Sequence, residues 1–139
     1  MNALDTNILV YSFDRDEPVK REKAVRLIDN LVQEDVETVL LWQVAGEFLS
    51  CLRRWEREKQ ISRQETLGTL ERLDSMFRCV LPTEAILGKS LDLSSRYSLS
   101  HWDSMLLAAC VEAGVHTLYS EDPASGSRYD SVAVVNPFA

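Results

Sequence analysis

Apolar positions along the chain fall into short runs and helical stripes that alternate. The opening run, 1–5, reads as a very short strand ending at Asp5, and 6–13 as a short helix with Asp5 as its N-cap. The acidic, proline-containing stretch 14–18 interrupts the pattern. Apolar residues then recur at helical spacing over 18–33 (Ala24, Val25, Ile28, Leu31, Val32), with Pro18 near the first turn. Residues 36–41 are strand-like. From 43 to 59 the stripe Val44, Phe48, Leu52, Trp55 marks a helix. Ser62 to Glu65 forms a capping box that opens a helix through 76. Residues 78–82 read as a buried strand, and Thr83 as the cap of a helix running to 97. Ser100 to Asp103 repeats the capping pattern for a helix that stops at Gly114. Residues 115–120 and 131–135 are the last two strands, with a polar loop over 121–130 between them.

Five short apolar strands separated by helices predict an α/β fold with a mostly parallel sheet, whose right-handed crossovers cover both faces with helices. There is no repeat, linker or low-complexity tract, so 1–139 reads as one domain. No apolar run reaches the roughly 18 residues a membrane span requires, and no basic-then-apolar leader is visible. Three cysteines without a CxxC pair argue against a disulfide framework or a zinc site, and fit a reducing cytosol.

A formal net charge of −7 opposes nucleic-acid binding unless the acids gather at a metal site. Two divalent cations would offset about four of those charges, and would do so where a phosphate must sit. The acids are placed to allow it. In open parallel sheets ligands bind outside the carboxyl ends of strands. Asp5 ends the first strand, and Glu121 and Asp122 follow the fourth. Asp103 lies in the first turn of the helix leading into that fourth strand. Glu47 lies beside the apolar stripe of its helix. Each has an ordinary explanation as well: a cap for Asp5, a capping-box position for Asp103, a solvated flank for Glu47, turn chemistry for Glu121 and Asp122. Their conjunction is what points to a site.

The segments LDTNILVYSFD (4–14), VAGEFLS (44–50), YSLSHWDSMLLAAC (97–110), LYSED (118–122) and VVNPF (134–138), in this order, resemble the PIN-domain family. The likeness is to its VapC-type members, the toxins of toxin–antitoxin pairs. The resemblance implies a three-layer α/β/α sandwich with a parallel sheet and a metal-dependent ribonuclease site. Its four acids fall on Asp5, Glu47, Asp103 and Asp122, with Glu121 ranked below Asp122. Thr6 and Asn7 match the polar pair after the first acid, and Ser104 is a lesser supporting position. The implied cofactor is Mg²⁺ or Mn²⁺, one or two per site; the implied partners are RNA, an antitoxin protein and a second copy of the chain. Two departures concern packing: the first strand is unusually short, and Leu41-Trp42-Gln43-Val44 replaces the family's Ser cap on the Glu-bearing helix.

Hard oxygen donors suit such cations, which activate a water and so make a His or Ser nucleophile unnecessary. Of the two histidines, His116 reads as structural and His101 as a minor substrate candidate. The run Arg53, Arg54, Arg57 and Lys59, interleaved with acids, reads as a solvated helix face. Arg15 and Arg128 follow site-bearing loops and are better placed. A receiver domain would need a lone Asp after its third strand and a Lys after its fifth. A haloacid dehalogenase phosphatase would need Asp-x-Asp where Asp5-Thr6-Asn7 stands. The remaining alternative is a PIN-fold binding or regulatory module with little nuclease activity.

Overall fold

The computed structural model describes residues 1–122 and 126–139. The element order is β1 (Asn2–Leu4), α1 (Thr6–Tyr11), α2 (Pro18–Gln33), β2 (Thr38–Leu41), α3 (Trp42–Arg57), α4 (Arg63–Met76), β3 (Arg78–Val80), α5 (Ala85–Tyr97), α6 (His101–Ala113), β4 (Thr117–Tyr119), β5 (Arg128–Tyr129) and β6 (Val132–Val135). The sheet has the order β3-β2-β1-β4-β6-β5. All pairings are parallel except the short β5–β6 hairpin. That hairpin is a sixth strand lying inside what the sequence presents as a polar loop. Two residues are too short for periodicity to register; β5 exists because β6 offers it an edge.

From β1 the chain steps outward to β2 and β3 through α1–α2 and α3–α4. It then crosses back through α5 and α6 to β4, on the other side of β1. Right-handed crossovers in opposite directions place the two helix sets on opposite faces. The point of reversal lies between β1 and β4. There, Leu4 pairs with Tyr119, so Asp5 and Ser120 leave the sheet side by side.

Local chemistry explains most boundaries. Pro18 opens α2, where its missing N–H is harmless. Ser62 and Glu65 complete a reciprocal capping box on α4. Gly114 ends α6 at φ 77°, a left-handed conformation that costs glycine nothing. The core lies where the patterns placed it: Val44, Phe48 and Leu52 of α3 are buried, and β1 and β2 are buried along their lengths. Among the described residues no helix is long and apolar enough to cross a membrane.

Two expectations are corrected. The strand 78–82 shortens to Arg78–Val80 and is not buried, because β3 is the sheet edge and Arg78 turns outward to pair with Glu37 at 3.0 Å. Thr83 does not cap α5 with its side chain: Glu84 holds the cap position in a helical conformation, and the first turn is closed by backbone bonds from Ile86 to Thr83 and from Leu87 to Glu84.

Candidate active site

Asp5 both caps α1 and lines a small cavity at the strand ends. Its own N–H donates to Tyr119 O at 2.9 Å, extending the sheet ladder by one residue. One carboxylate oxygen, Oδ1, accepts from the Thr6 N–H at 2.7 Å, and Oδ2 accepts from Ser120 Oγ at 2.7 Å. Burial pushes the Asp5 carboxyl above its ordinary value of 3.8. The bonds from Ser120 and Thr6 pull it down in part, and the charges of Glu47 and Asp122 push it up again.

Ser120 is the residue the sequence reading did not single out. It is 1% exposed. Its hydroxyl gives its proton to Asp5 and accepts from the Asp122 N–H at 3.0 Å and from Asn7 Nδ2 at 3.4 Å. One donor and two lone pairs are thus fully used. Asn7 also accepts the Glu121 N–H on Oδ1 at 3.2 Å. The available signal was position: Ser120 is the first residue past the fourth strand, beside Asp5 in the register.

Glu47 projects from the second turn of α3. Its Oε2 accepts from Thr6 Oγ1 at 2.6 Å and its Oε1 from Gln43 Nε2 at 3.0 Å, so two donors from different helices fix one carboxylate. Gln43, also missed, reaches Trp102 O at 3.4 Å and so touches the first turn of α6. In that turn the Asp103 N–H donates to Ser100 Oγ at 3.3 Å, half of the expected capping box; the reciprocal bond from the Ser100 N–H to the Asp103 carboxylate does not form. Asp103 instead lines, with Asp5 and Asp122, a cavity of about 20 Å³ walled by Leu99, Leu106 and Tyr129. That is room for roughly one water-sized body, not for a nucleotide base.

Other expected positions lie elsewhere. The Ser104 hydroxyl is spent on Ser100 O at 2.7 Å, inside its own helix. The Glu121 carboxylate turns away from the cavity to an ion pair with Lys20 of α2. Lys20 and the Tyr11 hydroxyl hold it below its ordinary value of 4.5. His101 is exposed, its ring edge-on to Trp102 at 4.6 Å. His116 is exposed and precedes β4, but its backbone joins the ladder, bonding Met1 O and the Ala133 N–H. Arg15 lines a separate cleft with Arg21 and Arg54, and Arg128 is exposed on β5. In the basic run of α3 the ion pair formed is internal to the helical layer, Glu56 with Arg63 of α4 at 2.8 Å.

The polar lining is all oxygen: the carboxylates of Asp5, Asp103 and Asp122 and the hydroxyls of Ser120 and Tyr129, with no His or Cys among the described lining residues. That chemistry fits a hard divalent cation. Among the described residues no three His, Cys, Asp or Glu side chains close into a ready cage around one point.

A family model described as PIN domain matches residues 3–129. The chain belongs to the PIN-domain family. Solved PIN-fold structures match it over almost its full length. A VapBC-1 complex from nontypeable Haemophilus influenzae aligns with TM-score 0.69 at 12% identity, covering 99% of this chain and 98% of the other. A toxin–antitoxin complex from Klebsiella pneumoniae aligns with TM-score 0.67 at 18% identity over 99% and 98%. VapC20 of Mycobacterium tuberculosis, described as a sarcin–ricin loop cleaving toxin, aligns with TM-score 0.64 at 16% identity over 88% and 90%. At such identities the likeness is one of fold. A search of curated proteins finds no match.

Proposed function

We propose that this PIN-domain protein is a metal-dependent endoribonuclease that hydrolyses RNA phosphodiester bonds, acting as the toxin of a type II toxin–antitoxin pair. The observation that carries the reading is the convergence of Asp5, Asp103 and Asp122 on one water-sized cavity, beside a Glu47 tied to Thr6. In this reading those four acids hold one or two Mg²⁺ or Mn²⁺ ions. When bound, such an ion supplies positive charge against the phosphate and acidifies a bound water. The chain's own groups do the rest. Ser120 and the Thr6 N–H hold Asp5 in one orientation, and Thr6 and Gln43 hold the exposed Glu47. The Ser120 hydroxyl is committed to three partners, and in this reading the attacking group is water.

The fold shared with VapBC complexes supports an antitoxin partner, and the fold shared with a sarcin–ricin loop cleaving toxin supports RNA as substrate. Trp42, Leu81 and Trp102 are more than half exposed and flank a groove of about 280 Å³, apolar surface suited to a protein partner such as an antitoxin segment or a second copy. The three cysteines are free thiols, in keeping with action in a reducing cytosol.

The test is cleavage of a total RNA pool by purified protein with Mg²⁺ or Mn²⁺. Cleavage should vanish in excess EDTA and in Asp5→Asn and Asp103→Asn. Cleavage that persists in EDTA would overturn the metal-dependent reading. A binding or regulatory PIN module is the second reading, favoured by the open spacing of the acids. It predicts no Mn²⁺ uptake at all.

A further inference from the structure

Two acids stand side by side at the end of β4, and chain direction alone does not say which faces the cavity. Both lie past the end of β4, Asp122 at a bend whose N–H folds back onto Ser120 Oγ at 3.0 Å, so where Glu121 is held helps decide where that bend sends Asp122. Glu121 is fixed firmly. Its N–H is bound to Asn7 and its carboxylate to Lys20, while Lys20 Nζ also donates to the Tyr11 hydroxyl at 3.3 Å. The ammonium lies 4.8 Å from the Tyr11 ring centre and 5.9 Å from that of Phe138, and those two rings meet edge-on at 5.2 Å. Four segments therefore meet at one cation: the end of α1, the start of α2, the exit of β4 and the C-terminal segment.

Lys20 is also out of place by local rules. It is the third residue of α2, where the positive end of the helix dipole disfavours a cation; the first turn itself carries no acid, and the acid at the cap, Glu17, makes no side-chain capping bond. A residue set against local preference requires a compensating partner, and Glu121 is that partner.

We propose that Lys20, through its ion pair with Glu121, is a positioning residue for Asp122: it holds the neighbouring acid against α1 and α2, so that Asp122 and not Glu121 faces the cavity. The pair also keeps Glu121 from adding another unneutralised negative charge next to Asp5. This rests on the metal-dependent reading above.

The experiment is Mn²⁺ binding to the full chain, followed by electron paramagnetic resonance and calorimetry, in wild type, Lys20→Met, Lys20→Arg, Glu121→Gln and Asp5→Asn. Partners behind metal ligands typically change affinity about 10- to 100-fold. Lys20→Met and Glu121→Gln should each weaken Mn²⁺ binding by about tenfold or more, and Lys20→Arg should restore it to within a few-fold. Circular dichroism and urea unfolding establish that each variant is folded; if Lys20→Met does not fold, Glu121→Gln, which keeps the shape, decides. Wild-type affinity in folded Lys20→Met or Glu121→Gln, with binding lost in Asp5→Asn, overturns the positioning role alone. Absence of Mn²⁺ binding by wild type, or equal binding by wild type and Asp5→Asn, overturns the metal reading and the positioning role with it.

Discussion

Ser120 Oγ donates to Asp5 Oδ2 at 2.7 Å across 115 positions of sequence, and the same oxygen accepts the Asp122 N–H. A single buried hydroxyl thus joins the acids that follow the two central strands, β1 and β4. The bond is possible because these strands are neighbours in register at the point where the sheet reverses direction.

Replacing Ser120 with Ala removes a donor from Asp5 and an acceptor from Asp122 together. Leaving buried polar groups unpaired costs about 1–3 kcal/mol. Urea unfolding of Ser120→Ala should show a loss in that range, with slower RNA cleavage. Ser120→Thr, which keeps the hydroxyl, should recover most of the activity.

Asp5 carries a stability signature of its own. Its folded-state proton affinity is raised, so its contribution to stability is fully present below about 3.8 and is lost as pH rises through the higher folded value. Acids with depressed values, such as Glu37 beside Arg78 and Asp130 beside Lys89, slope the other way. The difference between wild type and Asp5→Asn isolates the Asp5 contribution. Urea unfolding from pH 3 to 7, without divalent ions, should show wild type losing ground to Asp5→Asn as pH rises. Circular dichroism of Asp5→Asn should remain native while cleavage is absent.

Glu47 is held by Thr6 on one oxygen and Gln43 on the other. Groups that orient one side chain together are not additive when removed. Thr6→Val and Gln43→Ala should each weaken Mn²⁺ binding modestly, whereas the double variant should lose about tenfold or more. Strictly additive effects in calorimetry would show that the two donors do not share a role.

Phe48 follows Glu47 on α3, is fully buried and meets the Phe13 ring at 5.8 Å. Phe48→Ala should cost about 3–5 kcal/mol, by lost transfer energy and an unfilled cavity. Because α3 carries Glu47, thermal melts of this variant should broaden, and cleavage should fall even at temperatures where the fold survives.

Sequence alone determined what depends on neighbours a few residues away. The apolar periods placed α2 and α3 within a few residues, Ser62 and Glu65 declared the start of α4, Gly114 declared the end of α6, and Asp5 was legible as a strand-end acid and a cap. Tertiary structure decided what depends on partners far along the chain. Thr83 has a good cap side chain that the turn does not use, and Arg78 faces solvent because its strand lies at an edge. Ser104, a plausible site hydroxyl, bonds back into its helix, while the unremarked Ser120 became the central one. Glu121 and Asp122 are neighbours of the same chemistry in the sequence, and only the fold shows that the Glu121 carboxylate pairs with Lys20, a hundred residues earlier, while Asp122 lines the cavity. Periodicity and capping are set by the chain's immediate geometry; the direction of a side chain at a strand end is set by what the folded sheet and its helices bring beside it.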